Sequence, residues 1–486
     1  MNRIFGHFSQ CSSIREKNKK RPQEPFGQSL SYSLREQRRE ILTAVRQSGF
    51  KRAVKRIEKT LKNEYLFSVL TRAFSLAMGI VQSILIARYL GPDLKGETAY
   101  ISSIASTVSI IVTFGIHEAY PYFRKKYGKE AIFQNFVSLT MALYGFLFIT
   151  AIALAVLLPV GIEIRAAMVL IPLTGYSRIV SYISLIERPN RRNTWWTIIS
   201  LAEIVYLIFL WVFIPADIFW GISILAFVEV LRCIVFTILL HTRPRWDKGI
   251  PKLFLELLKY GFLPMVAYLM TMLNYRIDVL MLHQYSYITD AMIGIYSLGL
   301  SLSDKIVLIP DTLKGVLASK LTKGAGDEEV AKVCRIGFWA SVGICILIFV
   351  FGRLVIRLFY GEVYAGAYPV ILITASGVLA VVFFKIISQY NVINKRQILN
   401  LIMLSIAVVV DVILNLVFIP IWGIHGAAFA TSIGNIVCGV AFIIYFSRRS
   451  KIPVSKMIFI QRSDIQYVKS LFVKKKEAEN DNSSDE

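Results

Sequence analysis

The sequence predicts an all-α membrane protein of about twelve transmembrane helices, arranged as two six-helix lobes around a central cavity. Three observations carry this. Of the 486 residues, 55% are hydrophobic. They are gathered into blocks of about twenty, the length at which a helix spans a bilayer core. Short polar loops separate the blocks, and in lipid each backbone N–H and C=O must be paired inside its own segment, which makes the blocks helices.

The predicted spans are 65–88, 97–122, 131–158, 163–186, 194–214, 216–240, 254–282, 290–318, 331–358, 366–390, 398–419 and 422–446. Pro121, Pro172, Pro264 and Pro310 fall inside or at the ends of these blocks, where membrane helices tolerate them as kinks. The formal net charge is +23. On a soluble chain such an excess would suggest nucleic acid. Here the cations lie in loops and tails, so no nucleic-acid partner is expected. The second loop carries Arg124, Lys125, Lys126 and Lys129, and the fourth Arg188, Arg191 and Arg192. The sixth has Arg243, Arg245, Lys248 and Lys252, the eighth Lys320, Lys323 and Lys332, and the tenth Lys395 and Arg396. The odd loops are short and poor in Lys and Arg. The positive-inside rule then puts the even loops and both termini in the cytoplasm, as an even number of spans requires. Arg353 and Arg357, near the outer end of the ninth span, reach outward by snorkelling.

Residues 1–64 form a basic cytoplasmic tail without the apolar core of a signal peptide. Within it, 32–63 has the spacing of an amphipathic helix, with Leu34, Ile41, Val45, Val54, Ile57 and Leu61 on one side. It reads either as a helix lying on anionic membrane lipids or as a solvated tail. The polar sixth loop divides the rest into an N-terminal lobe, 65–246, and a C-terminal lobe, 247–450, followed by a cytoplasmic tail, 451–486. The lobes echo each other: Ile214-Pro215 with Trp220-Gly221 in one, Ile419-Pro420 with Trp422-Gly423 in the other. Repeated helical halves are a recurring transporter plan. The five cysteines, Cys11, Cys233, Cys334, Cys345 and Cys438, are scattered, so neither a metal site nor disulfides are expected.

Charges inside the bilayer cost about 2.5–3.5 kcal/mol each even on the lenient scale, so they must pair or face a wet cavity. Glu229 and Arg232, three apart, can pair on one helix face; Asp311 and Lys314 have the same spacing. Arg72, Arg276 and Lys305 are cations at depth. They are the candidate substrate contacts, because phosphate oxygens supply acceptors and compensating charge; the competing reading pairs Arg276 with Asp278 or Asp304. Asp278, Asp411 and Glu203 are candidates for binding a coupling proton or sodium ion, or else neutralise nearby arginines. No P-loop, HExxH or GxSxG occurs, and no cofactor is expected. His117-Glu118 has no second histidine at ligand spacing. All outer loops are short, which argues for transport over an enzyme such as a membrane-embedded glycan polymerase.

The segment LIARYLGPDLKGETAY at 85–100 resembles the end of the first span in the polysaccharide-biosynthesis flippases of the multidrug/oligosaccharidyl-lipid/polysaccharide exporter superfamily. The likeness rests on Ala87, Arg88, Leu90, Gly91, Pro92, Asp93 and Gly96. The start of the second half is similar to that family through Tyr260, Gly261, Pro264, Asn274, Arg276, Asp278, Gly294 and Tyr296. The same holds for RLFYGEVYAGAYPVILI at 357–373, and for WGIHGAAFATSIG at 422–434 with Gly423, Gly426, Ala427 and Ala428 as small packing residues. The chain departs from the pattern in its long basic tail, in Glu97-Thr98 and in Lys305. The resemblance covers about 65–446. It implies a multi-pass protein of the bacterial inner membrane that flips a polyprenyl-diphosphate-linked oligosaccharide from the cytoplasmic to the outer leaflet, for surface polysaccharide (exopolysaccharide or O-antigen) assembly. It also implies alternating access between the lobes, with a glycan polymerase and glycosyltransferases as expected partners. The alternatives are a sodium- or proton-coupled multidrug or cation exporter of the same superfamily, a flippase of lipid-linked peptidoglycan precursors, which would carry two further spans, and the polymerase.

Overall fold

The computed structural model describes residues 64–240, 250–322 and 324–461. The predicted amphipathic helix at 32–63 lies outside them. The chain divides into two compact units, Met1–Leu70 and Thr71–Glu486. The second unit holds nearly all of the described residues, and its regular elements are all helical. In chain order they are α1 (Glu64–Thr113), α2 (Ile116–Tyr127), α3 (Lys129–Leu157), α4 (Ile162–Glu187), α5 (Pro189–Phe213), α6 (Ile218–Leu240) and α7 (Ile250–Leu282). Then come α8 (Asp290–Ser303), a 3₁₀ turn (Asp304–Val307), α9 (Leu308–Thr322), α10 (Asp327–Val355), α11 (Ala367–Ile393), α12 (Gln397–Trp422), α13 (Ile424–Ser450) and the short α14 (Ser455–Ile458).

Eleven runs among the described residues are long and apolar enough to cross a membrane. The first, Ala77–Tyr127, holds 51 residues. At 1.5 Å per residue such a run is about 76 Å long, more than twice a 30 Å bilayer core. It therefore holds two crossings, which brings the total to about twelve. The bend between them is legible in the backbone. Gly91 sits at φ 68° and ψ 178°, left-handed territory that glycine enters without steric penalty, and Pro92 removes a backbone donor. Thus residues of the spans predicted at 65–88 and 97–122 are joined, as far as Thr113, in one bent helix. The second of them breaks again at Phe114 and Gly115, both at positive φ. The span predicted at 290–318 is likewise interrupted by the 3₁₀ turn at Asp304.

Apolar side chains turn outward along most helices. Ile149, Val156, Val205 and Phe349 are each at least 66% exposed. So many large aliphatic groups facing out are tolerable only against lipid. Among the inward groups, one core joins α2 to α7 around Tyr120, Phe136, Ile179 and Phe236. Another joins α9 to α14 around Leu317, Cys334, Val382, Phe442 and Phe446. The predicted packing residues Ala427 and Ala428 are fully buried, within a third core that includes Tyr296 and Ile419.

Two contacts fasten the second arm of α1. A Cβ on Gly96 would lie 1.9 Å from the Asp290 carbonyl oxygen, and one on Gly294 1.9 Å from that of Pro92. At the other end, a Cβ on Gly115 would lie 2.3 Å from the Gly261 carbonyl oxygen. Backbone meets backbone there because neither partner has a side chain. Gly96 and Gly115 are about 28 Å apart along a helix at 1.5 Å per residue, so the two contacts close opposite ends of one crossing. Nearby, Tyr122 stacks on Tyr260 at 4.5 Å, and Arg88 donates to the carbonyls of Leu358 and Phe359 at 2.6 Å.

Candidate functional site

The predicted site residues fall into separate places. Arg72 lies in the first arm of α1, and its side chain is outside the described residues. Arg276, on α7, and Lys305, in the 3₁₀ turn, are half-buried. Both lie within electrostatic reach of Asp304, as does Lys385 of α11. Lys95, just beyond the α1 bend, lies within electrostatic reach of Arg276. Among the described residues neither the Arg276 nor the Lys305 side chain makes a hydrogen bond or a direct ion pair.

The alternative pairing of Arg276 with Asp278 is not what forms. Residues two apart on a helix point to different faces. Asp278 turns into the core, 1% exposed. Its Oδ2 accepts from the Tyr296 hydroxyl and from Thr431 Oγ1 at 3.2 Å, and its Oδ1 from the Val279 amide at 2.7 Å. One turn before Asp278, Asn274 Nδ2 donates to Asn435 Oδ1 at 2.9 Å. These bonds tie α7 to α8 and α13. Asp411, also 1% exposed, accepts at Oδ1 from Asn415 Nδ2 at 3.0 Å, while its Oδ2 is buried without a hydrogen-bond partner. Glu203 accepts from Gln82 Nε2 at 2.6 Å, and Gln82 also donates to the Ser200 carbonyl at 3.0 Å. Asp278, Asp411 and Glu203 thus form no single ligand set, and no group of three or more metal-ligating side chains occurs among the described residues.

The expected pair of Arg232 and Glu229 forms, at 2.8 Å along α6. Asp311 takes a partner from another helix, Lys385, at 3.3 Å, and Lys385 also lies 5.4 Å from the Tyr275 ring. Among the cations that sequence reasoning missed, Lys385 and Arg178 lie well inside their spans. Each is a single charge in an otherwise apolar run, and the cost of burying it was the available signal.

A long bent first helix, a helix broken beside clustered charges, and eleven runs long and apolar enough to cross a membrane define a multi-pass membrane protein. Solved structures share this architecture. The chain is similar to the lipid II flippase MurJ in its inward closed conformation, with a TM-score of 0.62 at 16% identity over 81% of this chain and 89% of that one. It is also similar to a multidrug resistance MATE family transporter of the MOP superfamily in an inward-facing conformation, with a TM-score of 0.56 at 14% identity over 80% and 98%. A point mutant of the MATE transporter VcmN from Vibrio cholerae gives 0.53 at 14% over 81% and 97%. No curated protein sequence matches. At such identities the likeness is one of fold. The family comes from the sequence: the model of the polysaccharide biosynthesis proteins matches residues 62–310, and the chain belongs to that family.

Proposed function

We propose that the protein flips a polyprenyl-diphosphate-linked oligosaccharide from the cytoplasmic to the outer leaflet, by alternating access between the lobes 65–246 and 247–450. One observation carries this reading: Arg276 and Lys305 are half-buried cations within membrane-spanning segments, and among the described residues their side chains make no hydrogen bond or ion pair. A diphosphate supplies the acceptor oxygens that such groups lack, and negative charge beyond that of Asp304. The family of polysaccharide biosynthesis proteins and the fold of a lipid II flippase support a lipid-linked glycan. Arg72 is assigned to the same contact. The lipid tail stays in the bilayer, and the even loops and both termini face the cytoplasm of the inner membrane.

The exporter reading rests on the carboxylates instead. The free Oδ2 of Asp411 is the best-placed acceptor for a coupling proton or sodium ion, with Asp278 and Glu203 as the other candidates. The decisive experiment uses cells lacking the gene. Lipid-linked glycan should accumulate on the cytoplasmic side and surface polysaccharide should disappear. The intact gene should restore both, and a gene carrying R276Q with K305Q should not. Unchanged surface glycan in the deletion, with new sensitivity to small cationic compounds, would replace this reading with the exporter.

A further inference from the structure

A cavity of about 360 Å³ lies among α2, α4, α5, α6 and α7, within the size range of small-ligand sites, about 300–1,000 Å³. Neither Arg276 nor Lys305 lines it. Thr174, Arg178, Ser181 and Leu185 come from one face of α4 at helical spacing, beside Ser177 and Tyr182. Arg192 and Trp196 enter from α5, Glu229 and Arg232 from α6, and Tyr268 from α7. The guanidinium groups of Arg192 and Arg232 lie 4.3 and 4.5 Å from the Trp196 ring centre.

The polar groups of this cavity are incompletely satisfied. Glu229 is consumed: it accepts from Arg232 at 2.8 Å and from the Ser177 hydroxyl. Glu118 accepts from Tyr182 at 3.1 Å. Arg178 has no carboxylate partner among the described residues. It reaches only the Ser106 carbonyl at 3.5 Å and the Tyr268 ring at 5.2 Å. Three buried lining nitrogens have no hydrogen-bond partner: Arg178 Nη1, Arg232 Nε and His117 Nδ1. Buried polar groups are nearly always bonded, so three orphans around one cavity call for an occupant. Three arginines against two glutamates leave one positive charge in excess among the lining residues, and Arg178 makes no ion pair with either glutamate. The hydroxyls of Thr174, Ser181, Tyr182 and Tyr268 add the donor–acceptor surface that a sugar ring requires.

We infer that this cavity binds an oxyanion borne on a sugar, with Arg178 as its charge partner. Two sources share that chemistry: an acidic sugar of the glycan, and the sugar-linked phosphate of the carrier lipid. The inference rests on the proposed flippase reading only for the origin of the ligand, since binding is read separately from export.

The test titrates the purified full-length protein, in lipid nanodiscs, with glucuronate, glucose 1-phosphate, inorganic diphosphate and glucose, read by calorimetry. An oxyanion should bind and glucose should not. R178Q should weaken the binding at least tenfold and R178K should retain most of it, and the same loss on R178Q should appear in an R276Q, K305Q background, where the proposed diphosphate contact is removed. Preference for glucuronate assigns the site to an acidic sugar, and preference for either phosphate probe assigns it to the carrier. Should R178Q fail to assemble, Thr174→Val with Ser181→Ala should weaken the sugar ligands relative to diphosphate. No binding by any anion, or equal binding by R178Q at an unchanged unfolding temperature, would overturn the inference and leave water as the occupant. Glycan export that fails in R276Q with K305Q while this binding persists separates the two proposals.

Discussion

Gly294→Ala tests whether the contact between α1 and α8 is a closure that opens during transport. The added Cβ would lie 1.9 Å from the Pro92 carbonyl oxygen, whereas heavy atoms rest at about 3.5 Å, so the helices must part by roughly 1.5 Å. Both clashing partners are helix backbone, and no side-chain rotation relieves them. Overpacking of this kind costs about 1–3 kcal/mol. If the contact exists only while this end is closed, the whole cost falls on the closed state, and the open population rises by about 5–150-fold. Hydrogen–deuterium exchange reads that population directly, because protected amides exchange through opening. Amides of 91–97 and 290–295 should exchange faster by that factor, while α11 and α13 should not change. Gly261→Ala, at the far end of the same crossing, should instead accelerate exchange around 113–117 and 259–263. Unchanged exchange over 91–97 and 290–295 in a folded Gly294→Ala protein would refute the closure.

Arg276→Gln with Lys305→Gln should reduce glycan export by more than tenfold, the loss expected from charged hydrogen bonds worth about 1.5–3 kcal/mol each. Thermal unfolding in detergent should move little, because neither side chain makes a hydrogen bond or ion pair among the described residues and only their longer-range attraction to Asp304 is lost. Asp278→Leu should behave in the opposite way. It removes the acceptor of the Tyr296 hydroxyl, Thr431 Oγ1 and the Val279 amide and leaves the two hydroxyls only their 3.4 Å contact with each other, at about 1–3 kcal/mol per group left unpaired, so the unfolding temperature should fall by several degrees, and less for Asp278→Asn. Glu187→Gln should also destabilise. That carboxylate, 2% exposed, accepts from Arg124 at 2.5 Å and from the Tyr120 hydroxyl at 2.7 Å, and losing its charge should cost about 1–3 kcal/mol in unfolding measurements.

The number of crossings and the helical class were legible in the sequence, because a bilayer demands about twenty apolar residues and a closed hydrogen-bond ladder in every span. Glu229 with Arg232 was legible too, since a spacing of three fixes a shared helix face whatever the neighbours are. Gly91-Pro92 was visible as a motif, but not as the bend that joins two crossings into one helix, because a glycine also fits a loop between separate helices. The fate of the charges was decided elsewhere. Asp278 belongs to Tyr296 and Thr431, and Asp311 to Lys385, because tertiary packing brings α7, α8, α9, α11 and α13 together. Arg178 acquires its place beside Tyr268 by the same means, from a helix some ninety positions away in the chain. Composition and periodicity determine what each helix is. Which polar groups meet between helices depends on packing over long sequence separations, where residue spacing carries no information.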